Sequence, residues 1–465
     1  MKPTYEELEK ELVKTQHLLK SAFELIASLQ KEVADLQNRL NKNSKNSSKP
    51  PSTDQKSNTP DKEKKERKNR KGINRPIFPK DRIDRTIECT SKNCSHCGSD
   101  SLKILSKFDI LQQVELPEVR AIVTEYLLKR SHCSCCSRTS YGELPEGIPY
   151  SAFGTNLMGL MGSLTGTFHL AKREAIQLIN DLYDIDISLG SMTNIEERIS
   201  KALDPIYDRI HNFVLRSTFT KHFDETGWRD SGKRHYVWIA ACSQAAIYMI
   251  DRHRNKEAFK KLTKNMNFQK IPTVSDRYGV YKSLQDFHQN CLAHLIRDFK
   301  AFAEREGPDK KIGEEIERLL AKTCSIHRKY DQKLMSKQTR NQQIGRLRKK
   351  VEDWLYEGLA NGTDKLSGLC DRILLTFNQL WTFLRIDGMD PTNNLAERDL
   401  RKLVIWRRKS YGTRSVKGIR FVERITTITQ TLRKQKVNTL KFIQKALKSF
   451  YGRSQTPLVI AEMGF

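Results

Sequence analysis

Three acidic residues stand where this sequence predicts elements to begin or end. Asp224 lies late in the strand-like "HFDETGW", Asp276 closes "TVSDRYG", and Glu397 opens a helix in "DPTNNLAERDLR". Acids on strand and helix ends can converge, and three carboxylates suffice to hold Mg2+, which takes hard oxygen ligands and keeps several waters. Two such ions about 3.5–4 Å apart stabilise the attacking and leaving oxygens in phosphodiester substitution. Each position also has a plainer reading. An aspartate after a strand is commonly a turn or cap residue. Glu225 competes for the first position, and Asp286 and Asp298 compete for the second. With Asn394 as N-cap, "NLAE" is a capping-box pattern that sets Glu397 at N3.

Cysteines form a second chemical group. Cys94 and Cys97 make one CxxC pair, Cys133 and Cys136 another, with 35 residues between them. Four thiolates in two such pairs match a tetrahedral, structural Zn2+ site. Cys89 and Cys135 are spare thiols, and His96 and His132 are competing ligands. The second pair follows the strand-like "AIVTEYLLKRSH", as in a zinc ribbon, so 81–147 is expected to be a zinc-ribbon-like module.

The elements that must position these groups follow from periodicity. "FTKHFDET", "HYVWIAACS" and "AAIYMIDRH" read as three strands with short polar joins, hence antiparallel. A helix near 256–265 follows, then "IPTVSD" as a fourth strand and "FHQNC" as a fifth. Helices dominate from about 292 to 386 and from 394 to 448. That order matches a ribonuclease-H-like α/β core, whose first and fourth strands lie side by side, so Asp224 and Asp276 can meet at one edge. Alternation points Phe223 to the core and Asp224 to the site. Residues 148–212 read as helical. Helices near 171–183 and after Ser191 have the spacing of a helix-turn-helix or of an ordinary hairpin.

Upstream, Leu12, Leu19, Ile26, Val33 and Leu40 fall at heptad position a, and Leu8, Thr15, Ala22, Leu29 and Leu36 at d. Residues 1–41 therefore read as a coiled coil that pairs protomers, at least as a dimer. Residues 42–80 are rich in Ser, Asn, Pro and Lys and read as a basic disordered linker. The 465 residues carry a net charge of +28. Residues 42–80 hold 13 Lys/Arg against 4 Asp/Glu, and residues 398–453 hold 17 against 2. Such segregation calls for a polyanion, and nucleic acid fits best. Arg398, Arg401, Lys402, Arg407, Arg408 and Lys409 are the candidate phosphate contacts, while Trp406 and Tyr411 can pack or stack on a base. With neither a long apolar run nor a secretory leader, a cytoplasmic, nucleoid-associated protein is expected.

Taken in order, "LNKNSKNSSKPPSTD", the CxxC pairs, "HFDETGWR", "VSDRYGVY", "CLAHLIRDF" and "PTNNLAERDLR" resemble the insertion-sequence-66 family of bacterial transposases. The resemblance covers the chain to about residue 448. It implies a DDE triad at Asp224, Asp276 and Glu397 and a helical insertion at about 299–386. The catalytic domain would span 213–415, and a basic helical region would occupy 416–465. Cys291 and His294 match a CxxH motif that follows the second aspartate in several transposase families. The plain reading of that pair is packing beside the site. The chain departs from the family at "RKGINRP", where a glycine-rich stretch is usual. The resemblance implies an enzyme that binds the ends of its own element, frees a 3′-OH and joins it to target DNA. Two Mg2+ ions, or Mn2+ in their place, would serve it, with small accessory proteins encoded beside it. A nuclease without strand transfer and an inactive, regulatory DNA-binding relic are the alternatives.

Overall fold

The computed structural model describes residues 4–40, 77–268, 270–284 and 287–459. Most of the expected linker, up to residue 76, and Asp286 lie outside the described residues. The chain divides into two units, Lys56–Ile122 and the remainder, so the expected module at 81–147 is shared between them. In the smaller unit a 3-10 turn spans Lys80–Arg82. Phe78 is bonded on both sides by Gln112, whose Oε1 accepts its N–H at 2.6 Å and whose Nε2 donates to its carbonyl at 3.1 Å.

The larger unit opens with α1 (Tyr5–Leu40). Its seam residues Leu12, Leu19, Ile26, Leu29, Val33 and Leu36 are all exposed. A small hairpin follows, β1 (Arg130–His132) paired antiparallel with β2 (Thr139–Tyr141). The strand read at 121–132 is thus regular only at its last three residues. Helices α2 (Thr155–Gly166), α3 (Lys172–Tyr183) and α4 (Leu189–Arg216) come next. α4 starts before Ser191, not after it. Ser188 is the cap, and its Oγ accepts the Ser191 N–H at 3.0 Å. Met192, Ile195, Ile199, Leu203, Ile206 and Ile210 give α4 one buried apolar stripe.

The central sheet holds β3 (Lys221–Asp230), β4 (Lys233–Ala241), β5 (Ala246–Asp251), β6 (Thr273–Ser275) and β7 (His288–Asn290), in the order β5-β4-β3-β6-β7. The first three strands pair antiparallel, while β6 and β7 join parallel to β3. α5 (Lys256–Thr263) supplies the crossover from β5 to β6. β3 runs four residues beyond the expected "FTKHFDET". Its turn is Ser231-Gly232, with φ of +49° and +78°, the left-handed pair that a two-residue hairpin needs.

Beyond β7 lie α6 (Leu292–Ala303), α7 (Pro308–Asp331), α8 (Lys337–Asn361) and α9 (Asp364–Leu374), then α10 (Asn394–Ser410), α11 (Val416–Lys434) and α12 (Thr439–Tyr451). Two apolar clusters result. α6 to α9 close around Leu295, Phe299, Ile316, Leu355 and Trp381, joined by Val274 of β6. The other cluster joins α2 to α5, strands β3 to β5 and α10 to α12. Gly412 makes the connection into α11. Its φ is +99°, and a Cβ there would lie 2.0 Å from the Arg229 carbonyl oxygen. No described helix is long and apolar enough to cross a membrane.

The outer edge of β5 is closed by side chains of α11. Thr431 Oγ1 accepts the Ala246 N–H at 3.2 Å, Thr427 Oγ1 the Tyr248 N–H at 3.1 Å, and Glu423 Oε1 the Ile250 N–H at 2.6 Å. Acceptors four residues apart on a helix thus meet donors two apart on a strand. The opposite edge is closed by the 3-10 turns at 377–384. Gln289 Oε1 accepts the Phe383 N–H at 3.0 Å, and Thr382 Oγ1 donates to the His288 carbonyl at 2.7 Å. Capped edges cannot recruit further strands.

Burial pushes the Glu423 carboxyl up to about 7; the Ile250 N–H, Arg420 and Arg424 oppose that shift, and Asp251 adds to it. A raised carboxyl pKa means that the folded state binds the proton more tightly, so this contribution is present at low pH and lost as pH rises from about 4.5 to 7. Glu423→Gln mimics the protonated group and keeps the acceptor for Ile250. Its melting temperature should exceed wild type by about 3 °C or more at pH 8 and converge with it near pH 4, read by calorimetry at both pH values.

Candidate active site

Strand register brings the first two acids together. Parallel pairing matches Lys221 with Thr273 and His222 with Val274. Two places further along, the same register sets Asp224 opposite Asp276. Between β6 and β7, Ser275 pairs with Asn290. One place further, Asp276 stands level with Cys291. Asp224 within β3 therefore lies on one line with Asp276 and Cys291, which follow the ends of β6 and β7.

Parity separates Asp224 from its rival Glu225. Phe223 points into an aromatic group with Phe259, Phe268 and Tyr281. Glu225 shares that face, and both its oxygens are engaged, by Arg254 (Nε at 2.8 Å) and by the Tyr281 hydroxyl. Asp224 and Trp228 take the opposite face, where Trp228 meets Trp406 of α10 edge-on. α10 also carries Glu397.

Asp224 accepts only the backbone N–H of Glu225, at 2.8 Å, and Asp276 only that of Tyr278, at 2.9 Å. Neither makes an ion pair among the described residues. Burial, then the charges of Glu225, Asp276 and Glu397, push the Asp224 carboxyl well above the ordinary range. Burial also raises Asp276, against the Tyr278 N–H and the charges of Arg254 and Arg277. Asp298, the other described rival, is ion-paired to Arg277. These are carboxylates short of positive charge, and their hard oxygens fit Mg2+ or Mn2+.

Glu397 is not a capping-box residue. α10 begins at Asn394, so Asn393 is the N-cap, and its side chain makes no cap bond. The Glu397 carboxylate instead accepts from Arg297 at 3.1 Å and lies 3.6 Å from His294 Nδ1. Asn393 is fully buried and works elsewhere. Its Nδ2 donates to the Phe223 carbonyl at 2.8 Å, which fixes its Oδ1 toward His222 Nδ1 at 3.2 Å. Burial drives His222 to about 4, so it is neutral and donates from Nδ1. The Asn393 backbone N–H donates to Cys291 Sγ at 3.1 Å. Cys291 in turn is the N-cap of α6, and His294 lies in its first turn.

The basic face of α10 is divided. Arg398, Arg401, Arg408 and Lys409 are exposed, whereas Lys402 and Arg407 are half-buried. Arg407 donates to the Gly227 carbonyl and so pins the helix to β3. Trp406 packs rather than offering a face to a base. It is 7% exposed and stacked on His169 at 4.6 Å. Tyr411 is 82% exposed. A cavity of about 630 Å³ opens beside Asp276, lined in part by Arg277, Lys282, His294 and Arg372.

The two cysteine pairs adopt the same turn, each in its own unit. Cys94 N–H donates to Ser99 at 2.8 Å while its carbonyl accepts Gly98 N–H at 2.9 Å; Cys133 N–H donates to Arg138 and its carbonyl accepts Ser137 N–H, both at 2.9 Å. Backbone N–H groups lower the thiol pKa in both, from His96 and Cys97 at Cys94 and from Cys136 and Cys135 at Cys133. Such thiols are poised as thiolate ligands. Cys89, Cys135, His96 and His132 are exposed.

Sequence reasoning missed Arg297, Asn393 and His222. Arg297 follows His294 by three places, one helical turn, and that spacing was its only signal.

Comparison with known families gives three matches. The model described as the transposase IS66 family covers residues 167–420. The zinc-finger binding domain of transposase IS66 covers residues 91–137 and so includes both cysteine pairs. A family of unknown function covers residues 2–76. No curated protein matches the chain.

Crowded acids without a cation destabilise the fold that holds them. In EDTA near neutral pH, Asp224→Asn should therefore melt about 2 °C or more above wild type. Added Mn2+ should raise the melting temperature of wild type and leave that of the variant where it was. A variant that melts below wild type in EDTA would contradict the reading of the site.

Proposed function

The chain belongs to the IS66 transposase family, and from that premise we propose that Asp224, Asp276 and Glu397 form its catalytic triad. The observation that carries the reading is the shared register of Asp224 and Asp276 under the helix that bears Glu397, with no cation among the described residues paired to either aspartate. The strand order, antiparallel then parallel, supports a ribonuclease-H-like core. α6 to α9, with a cluster of their own, support the helical insertion.

Divalent cations bound by these carboxylates would neutralise charge on the attacking and leaving oxygens of a phosphodiester. The chain's own residues do the rest. Asn393 holds the start of β3 and the start of α6 in one place. Arg297 and His294 orient the Glu397 carboxylate. Arg398, Arg401, Arg408 and Lys409 contact DNA phosphates, with Lys402 and Arg407 flanking them; such contacts position DNA and carry no sequence information. Element ends are held, cut to expose a 3′-OH, and joined to target DNA at the same site. The family's zinc finger supports structural Zn2+, which we assign to Cys94, Cys97, Cys133 and Cys136. The exposed seam of α1 supports self-pairing, which lets two DNA ends be held at once. A cytoplasmic, nucleoid-associated location belongs to the same reading, as do accessory proteins encoded with the element.

A plasmid carrying the element's terminal repeats, incubated with the protein and Mg2+ or Mn2+, tests the chemistry. Joined products are expected. Asp224→Asn, Asp276→Asn and Glu397→Gln should each lower the rate by about 10³-fold or more while leaving DNA binding intact. Cutting without joining would favour the nuclease; binding with no turnover in wild type would favour the relic. The pairing role of α1 has its own test. Leu19→Glu with Ile26→Glu should shift the sedimentation profile from dimer or higher to monomer, and an unchanged profile would exclude this seam.

A further inference from the structure

The line across β3, β6 and β7 does not stop at two aspartates. Its third member is a cysteine, and that cysteine has company. Sγ of Cys291, a ring nitrogen of His294 and a carboxylate oxygen of Glu397 lie within 4.8 Å of one another, the only such group of three among the described residues. Two helix N-termini build it. Cys291 and His294 occupy the cap and first turn of α6, and Glu397 stands in the first turn of α10. We infer that Cys291, His294 and Glu397 form a second metal position beside the carboxylate pair, one that takes Zn2+ rather than Mg2+.

The donor set decides the metal. One thiolate, one imidazole and one carboxylate suit Zn2+, whereas Mg2+ avoids sulfur. Three protein ligands leave one coordination place open. Tetrahedral bonds of about 2.0–2.3 Å put ligand atoms roughly 3.5 Å apart. The present spread of up to 4.8 Å therefore needs a contraction of about 1.3 Å at most, within side-chain adjustment.

Independent observations point to a missing partner at this place. His294 Nδ1 is buried and has no hydrogen-bond partner among the described residues. It faces Glu397 Oε1 at 3.6 Å. Cys291 Sγ is wholly buried and accepts the Asn393 N–H, with Ala293 and His294 N–H groups also turned toward it. Burial outweighs these donors and pushes the thiol up to about 12, so without a metal it keeps its proton. On binding, the thiol proton leaves to solvent and the metal replaces it. Arg297 donates to the same Glu397 oxygen and must yield it, so one cation exchanges for another. The second Glu397 oxygen stays available to the aspartate pair.

The count of bound zinc tests this without any DNA substrate, so its outcome is separate from that of the strand-transfer assay. The full chain carrying Asp276→Asn, to disable the aspartate pair, is desalted and its zinc measured by mass spectrometry. About two ions per chain are expected, one in the finger and one here. Adding Cys291→Ser should bring the count to about one, and His294→Gln should do the same while keeping side-chain volume. Cobalt(II) in place of zinc should show a thiolate charge-transfer band that weakens in the Cys291→Ser chain. One zinc per chain before and after either substitution would overturn the proposal. Should Cys291→Ser lose its folded circular-dichroism spectrum, the His294→Gln count decides.

Discussion

Everything at the site depends on how Asn393 is bonded. Its carboxamide ties the carbonyl of Phe223, one residue before Asp224, to the imidazole of His222. Its backbone N–H reaches Cys291, and its neighbour Pro391 accepts the Leu292 N–H at 2.9 Å. One buried amide thus joins the strand that carries Asp224 to the helices that carry His294 and Glu397. Those groups come from residues 222 to 397, and no local hydrogen bond could fix their spacing. Each polar atom in this set would cost about 1–3 kcal/mol if left unpaired in the interior, so the arrangement holds as a unit.

The sequence revealed the strands through their alternation and β-branched content, and the acids through their places at strand and helix ends. It was silent on the reach of β3, because "RDSGKR" is polar and only Ser231-Gly232 marks the turn. It misled at Glu397, because two adjacent asparagines compete as cap and spacing cannot choose between them. The structure selects Asn393, whose side chain finds better partners across the core than in its own helix. Parity along β3 separates Asp224 from Glu225, but only once Phe223 and Trp228 are known to lie on opposite faces. Arg297 was unreadable because an arginine at one helical turn from a histidine is ordinary. Its meaning comes from Glu397, a hundred residues away.

The basic charge of α10 also changes meaning in context. Arg407 and Trp406 fix the helix, through the Gly227 carbonyl and the His169 ring. Burial first, then Arg433, Lys402 and Lys409, hold His169 near 4, so a neutral ring lies under a cationic surface. The rigid part of the helix thereby presents the exposed arginines at a set angle to the acids. A polyanion drawn to that surface arrives beside carboxylates that need cations, and bound cations offset the repulsion between the two.

The row of acceptors on α11 has a consequence for the order of events during synthesis. β5 emerges from the ribosome about 170 residues before the helix that covers its edge. Until residue 431 is made, the N–H groups of Ala246, Tyr248 and Ile250 can bond only to water or to another strand. The nascent chain therefore carries an open sheet edge until α11 is made, a state prone to intermolecular pairing. A product ending before α11 would keep that edge for good. The central sheet matures late, when the last basic helices fold back.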